Sequence, residues 1–150
     1  MDIWGIRMIT IQIVLLILLG LVALIDLRFM KVPSFFLTAI IFITAIVHFA
    51  DFEVGMISLP FGVLAFIFAW ALYELNYIGG IADVKVMVII GLMITSIQMF
   101  FVFMLLVVLF GMVYQLVFYF VLKKKEGEEI PFLLPLYAVY IVLFIIGGVM

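Results

Sequence analysis

The sequence contains no cysteine and only one histidine, His48. Disulfides, thiolate metal sites and a zinc-ribbon appendage are thereby excluded, and a lone imidazole does not make a metal centre. Charge is scarce too. Asp, Glu, Lys and Arg make up 11% of the 150 residues, and the formal net charge of -2 leaves no basic footprint of the kind that nucleic acid requires. No phosphate-cradling glycine loop or nucleophile elbow occurs, and no cofactor is expected. Between the apolar runs there is no polar stretch long enough to hold a soluble domain.

What fills the chain is hydrocarbon. Hydrophobic residues account for 71% of it, and the mean hydropathy is +1.62, far from the balance of a soluble core wrapped in polar surface. The lipid bilayer must be its solvent. The first apolar run is too long, and followed by too many others, for a cleaved signal peptide, so a single membrane-embedded domain over residues 1–150 is expected. The ten Met and seventeen Phe are spread through the apolar runs and read as packing or lipid-facing residues.

Six apolar runs stand out, from Met8 to Ile25, Phe35 to Ala50, Met56 to Asn76, Val84 to Thr95, Met99 to Leu122 and Pro131 to Gly148. They predict an all-α, polytopic membrane protein with six transmembrane helices. Alternating the spans puts Arg28, Lys31, Lys85, Lys123, Lys124 and Lys125 on one side and Arg7 on the other. By the positive-inside rule both termini then lie outside, and the loops near Asp26, Asp83 and Lys123 face the cytoplasm. Because Val84 to Leu122 is too long for one span, the chain must reverse at Thr95 to Gln98. That leaves a fourth helix of roughly 18 Å against a hydrocarbon core of about 30 Å. The Tyr77 to Ala82 segment before it should therefore dip into the membrane, where irregular backbone needs protein or a watery cavity around it.

Two carboxylates border this region. Asp26 ends the first apolar run, where a negative charge opposes the helix dipole, so helix stability does not explain it; its ordinary reading is a loop residue paired with Arg28 or Lys31. Asp83 stands at the start of the fourth helix, where its ordinary reading is an N-cap. Set against these readings are the adjacent Gly79-Gly80 pair, which permits close backbone approach, and the rule that ionisable groups at membrane depth are functional candidates. Two carboxylates on one face could share a proton, as in an aspartic peptidase, where one acts as base on water while its protonated partner polarises the scissile carbonyl. The Gly79-Gly80 loop has little in the sequence to hold it, so the two Asp are expected to be mobile without substrate.

Three motifs, Asp26-x-Arg28-x-x-x-x-Pro33, Gly79-Gly80-Ile81-Ala82-Asp83-Val84-Lys85 and Glu129-Ile130-Pro131-Phe132-Leu133-Leu134-Pro135, occur in that order. Together they resemble the type IV prepilin and archaeal preflagellin peptidases, of the GxGD membrane aspartic proteases, over essentially the whole chain. The resemblance implies that Asp26 and Asp83 are catalytic and that Gly79, Gly80, Arg28, Lys85 and Pro131 support them. It further implies a prepilin-like or preflagellin-like precursor as partner, cut after a short basic leader at the cytoplasmic face. In one departure, Ala82 stands where the family often has glycine. The insertion with paired cysteines that accompanies N-methylation in bacterial members is missing, so the resemblance implies a peptidase without methyltransferase activity.

Other readings remain open: a small proton- or cation-coupled transporter using the Asp pair, or a structural subunit. Glu74 is expected to pair structurally with Lys85, and His48 to be a hydrogen-bonded helix residue near the outer boundary. Glu126, Glu128 and Glu129, beside Lys123 to Lys125, read as a solvated turn with self-compensating charge.

Overall fold

A computed structural model describes residues 3–29, 32–50, 52–121 and 131–147, the side chains of residues 3–8 and 147 excepted. Arg7, Lys31, Lys123 to Lys125, Glu126, Glu128 and Glu129 thus fall outside the described side chains. Among the described residues the chain is all helix: α1 (Ile3–Phe29), α2 (Ser34–Phe49), α3 (Phe52–Glu74), α4 (Ile81–Leu92), α5 (Ile97–Val121) and α6 (Leu133–Gly147). Six helices match the six apolar runs.

Three of them, α1, α3 and α5, are long and apolar enough to cross a membrane. The other three are shorter, with 16 residues in α2, 12 in α4 and 15 in α6. Large side chains point outward along the bundle, among them Phe35, Phe52, Phe101 and Val113, forming an apolar exterior that water would not tolerate and lipid does. The protein is membrane-associated by this measure.

Helix ends follow local chemistry. α1 runs on past the expected boundary at Ile25, since nothing before Pro33 stops it, and Arg28 in its last turn complements the helix dipole. Asp26 is consequently a helical residue in the final turn of α1, not the first residue of a loop. Pro33 then takes the N-cap position of α2 at φ -59°, a value its ring imposes. α3 is closed by Asn76, two residues past its end, whose φ of 55° is left-handed. The Tyr77 N–H bonds back to the Leu72 carbonyl at 2.9 Å and the Asn76 N–H to that of Tyr73 at 3.0 Å. This pair of bonds is a Schellman motif with Asn in the place usually held by Gly. It turns the chain inward, and Ile78 follows with only 3% of its surface exposed.

α4 occupies the middle. It packs on α2, α3 and α6, while α6 also meets α1 and α5. Eight of its residues, Asp83, Val84, Val86, Met87, Ile89, Ile90, Gly91 and Leu92, are buried, so it is apolar around most of its circumference, as an internal helix must be. Its reversal into α5 falls at Thr95-Ser96, with Met93 and Ile94 still buried. The Ser96 hydroxyl accepts the Met99 N–H at 3.3 Å, opening α5.

The α3–α4 contact depends on small residues. Gly62, Ala65 and Ala69 on α3 are buried, and a Cβ placed on Gly91 would press on the Ala65 side chain and lie 2.9 Å from the Phe61 carbonyl oxygen. Lipid supplies no hydrophobic drive between helices, so close backbone approach through small residues is what holds this pair. At Gly20 the obstacle to a Cβ is different, the Tyr137 hydroxyl at 2.8 Å, which is the free end of a side chain. Gly91→Ala should therefore destabilise the detergent-solubilised protein by about 1–3 kcal/mol, and Gly20→Ala by less, because Tyr137 can swing aside. Thermal unfolding of the two variants tests the ranking; equal loss would contradict it.

Candidate active site

Asp26, in the last turn of α1, and Asp83, in the first turn of α4, lie at the same end of the bundle, where α6 starts. Asp26 is 9% exposed and Asp83 5%. The Asp26 carboxylate lies within electrostatic reach of Asp83. The hydrogen bonds described at these carboxylates come from backbone, so the two interact as charges across the interior and leave oxygen lone pairs for a further partner.

Asp83 does not occupy the N-cap of α4. Gly80 does, and Asp83 is the third helical residue. Its Oδ2 accepts the Gly80 N–H at 3.0 Å, and the Gly79 N–H also donates to the carboxylate. A carboxylate at this position reaching back to the N-cap is one arm of a capping box. Gly80 itself is extended, at φ -161° and ψ 164°, and a Cβ there would lie no closer than 3.9 Å to its neighbours. Gly80 therefore requires neither a left-handed φ nor close backbone approach, contrary to the expectation of close approach there, and what it gives Asp83 is a backbone N–H that any residue but proline carries.

Asp26 turns away from its own helix. Its Oδ2 accepts the Leu133 N–H at 3.4 Å, across from the first residue of α6. The charge that is unfavourable at the C-terminus of α1 is favourable at the N-terminus of α6, where unpaired N–H groups collect. Pro131 and Phe132 are buried just before that turn; the proline rigidifies the approach that presents the Leu133 N–H. Arg28 does not pair with Asp26 here. Its guanidinium lies 5.4 Å over the Phe29 ring.

Lys85 also departs from expectation. Two positions beyond Asp83 on a helix, it projects to another side. Its ammonium donates to the Ser34 carbonyl at 3.1 Å, to the Ser34 hydroxyl, and to the Thr38 hydroxyl at 2.7 Å. All three protons are thereby used, and Lys85 ties α4 to the first turn of α2. Glu74 is exposed and is not its partner, which corrects the expected Glu74–Lys85 pair.

The loop between α3 and α4 is better held than its glycines suggest. The Tyr77 hydroxyl donates to the Val108 carbonyl at 2.6 Å, and the Tyr77 carbonyl accepts the Gln115 amide at 2.8 Å. Val108 lies roughly 20 Å along α5 from its end at Val121, so the loop reaches well into the bundle. The premise that little restrains this loop is overturned.

Sequence reasoning missed the contribution of α5. Gln115 and Tyr114 look like ordinary members of an apolar run, and only the packing shows Gln115 holding the Tyr77 carbonyl and Tyr114 within electrostatic reach of Asp26. His48, by contrast, fits its expected role: it is buried in the last turn of α2 with Nδ1 bonded to the Thr44 carbonyl at 2.8 Å. Among the described residues no three His, Cys, Asp or Glu side chains converge as a metal site. No known protein family, curated protein or solved structure matches the chain.

Lys85→Met should lower the melting temperature in detergent, since it strips Ser34 and Thr38 of a charge-assisted donor, with a cost of about 1.5–3 kcal/mol per such group. Glu74→Gln should leave it unchanged. A drop on Glu74→Gln matching that on Lys85→Met would restore the pairing that the geometry denies.

Proposed function

We propose that the chain is a membrane aspartic endopeptidase that removes the short basic leader from prepilin-like or preflagellin-like precursors, without N-methyltransferase activity. The observation that carries this reading is the convergence of Asp26 and Asp83, from helices far apart in sequence, at one buried end of the bundle. The three motifs that resemble the prepilin and preflagellin peptidases meet at the same place. Pro131 and Phe132 precede the α6 turn that contacts Asp26, and Gly79 and Gly80 donate to Asp83.

The chemistry follows from two carboxylates sharing one proton. A water between them gives a proton to the ionised carboxylate as its oxygen attacks the scissile carbonyl carbon, and the protonated partner delivers its proton to the carbonyl oxygen. Collapse of the tetrahedral gem-diol breaks the C–N bond as the carboxyl that acted as base protonates the leaving amine and its ionised partner takes a gem-diol hydroxyl proton, which releases the new carboxyl terminus and restores the shared-proton state. Water is consumed and no other co-reactant is required. Both carboxylates must change partners during this cycle, and a single long backbone bond at Asp26, 3.4 Å, leaves it freer to do so than a fully bonded carboxylate.

In this reading all six helices are membrane-embedded, both termini are outside, and the ends of α1, α4 and α6 that carry the site face the cytoplasm. Arg28 and Lys85 lie at that end, in keeping with the positive-inside rule. A substrate helix would lie in lipid beside the bundle with its basic leader at the same face.

Co-expression with a precursor bearing such a leader, followed by gel shift, tests the activity. Wild type should cleave, and Asp26→Asn, Asp83→Asn, Asp26→Glu and Asp83→Glu should each lose cleavage at matched expression, because the dyad needs both proton exchange and fixed reach. Retention by the Asn variants would favour a scaffold; absence of wild-type cleavage with Asp-dependent ion flux would favour a transporter. Since the chain has no native Cys, topology can be read from single introduced ones. Met150→Cys should react with an impermeant maleimide in intact cells, and Glu126→Cys only after lysis; the opposite pattern would reverse the orientation.

A further inference from the structure

Tyr114 is a polar group at the site that the dyad alone does not use. Its hydroxyl is buried and, among the described residues, has no hydrogen-bond partner. Such groups are rare in native structures because the lost hydration is not recovered, so each one asks for a reason. Helix geometry shows where this one faces. Gly111, three residues earlier on α5 and therefore on the same side, packs directly on Tyr77 and Phe132, with a Cβ there meeting the Tyr77 hydroxyl at 2.7 Å and the Phe132 ring at 2.8 Å. Phe132 immediately precedes the Leu133 N–H that bonds Asp26, and Tyr77 opens the loop that leads to Asp83. The next residue, Gln115, holds the Tyr77 carbonyl. Tyr114 itself lies within electrostatic reach of Asp26, and its ring is steadied against Phe118, with centroids 4.6 Å apart.

We propose that Tyr114 is a third catalytic residue of this site, its Oη donating a hydrogen bond to the scissile carbonyl oxygen as negative charge builds there during attack by water. The inference rests on the peptidase reading and deepens it. A phenol suits this role because it is a neutral donor and adds no charge to a site that already holds two carboxylates. A donor with no partner among the described residues also has no such bond to break before it meets the substrate. Stabilisation of this kind is strongest in a site that excludes water.

The test is Tyr114→Phe, assayed with purified protein in detergent on a prepilin-like or preflagellin-like precursor beside wild type, Asp83→Asn and Tyr119→Phe. Tyr119 is exposed on the same helix and serves as the control. Loss of one such donor typically lowers kcat on the order of 10²-fold, so Tyr114→Phe should lose about that much in kcat with KM within a few-fold. Its melting temperature should be unchanged or higher, because the hydroxyl bonds none of the described groups in the resting protein. Tyr119→Phe should match wild type. Full activity in Tyr114→Phe, with Asp83→Asn dead, would overturn this inference and leave the peptidase intact, and so would a loss accompanied by a lower melting temperature, which marks a structural role. Absence of wild-type cleavage, or an active Asp83→Asn, would overturn the peptidase reading and this inference with it.

Discussion

Everything at the candidate site depends on the cost of carrying irregular backbone into a membrane protein's interior. The interior of a helical bundle offers little water to peptide groups, so the N–H and C=O groups of the α3–α4 connection must find partners within the protein. The structure meets this demand piece by piece. The Schellman bonds close α3, Gln115 takes the Tyr77 carbonyl, the Tyr77 hydroxyl caps a carbonyl of α5, and Asp83 gathers the N–H groups of Gly79 and Gly80. Asp83 is in this sense part of what makes its own loop possible.

The connection can be so deep only because α4 is short, and α4 can be short only because it is internal. A helix surrounded by α2, α3 and α6 has no need to match the bilayer. Small residues on α3 let the two backbones approach, and the Lys85 ammonium fastens the other side to α2. Packing and charge-assisted hydrogen bonds thus replace the hydrophobic drive that lipid cannot supply between helices. The result sets the height and rotation of Asp83 on two independent contacts.

Each carboxylate sits at the N-terminus of a helix, Asp83 at that of α4 and Asp26 across the interior at that of α6. A structural subunit could use them as caps and nothing more. What exceeds capping is their mutual placement. Two like charges held within electrostatic reach in a buried region work against stability, and a fold that wanted only caps would use Ser or Asn at one of them. The Tyr114 hydroxyl, without a partner among the described residues, is a second uncompensated feature within electrostatic reach of Asp26.

The sequence by itself determined the six helices, the short fourth one, the lipid solvent and the two carboxylates worth attention, because each is carried by local composition: run length, hydropathy, breakers such as Pro33, and the rarity of Asp between apolar runs. It could not determine which backbone groups those carboxylates would hold, since Leu133 lies more than a hundred positions from Asp26 and their meeting is set by helix packing. It misled at Lys85, where proximity to Glu74 in sequence suggested a pair and the rotation of α4 directed the ammonium to α2. It was blind to Tyr114 and Gln115, which in an apolar run look like any other helix residue. Only tertiary structure decided their placement, because a helix has many faces and the sequence does not say which one its neighbours will cover.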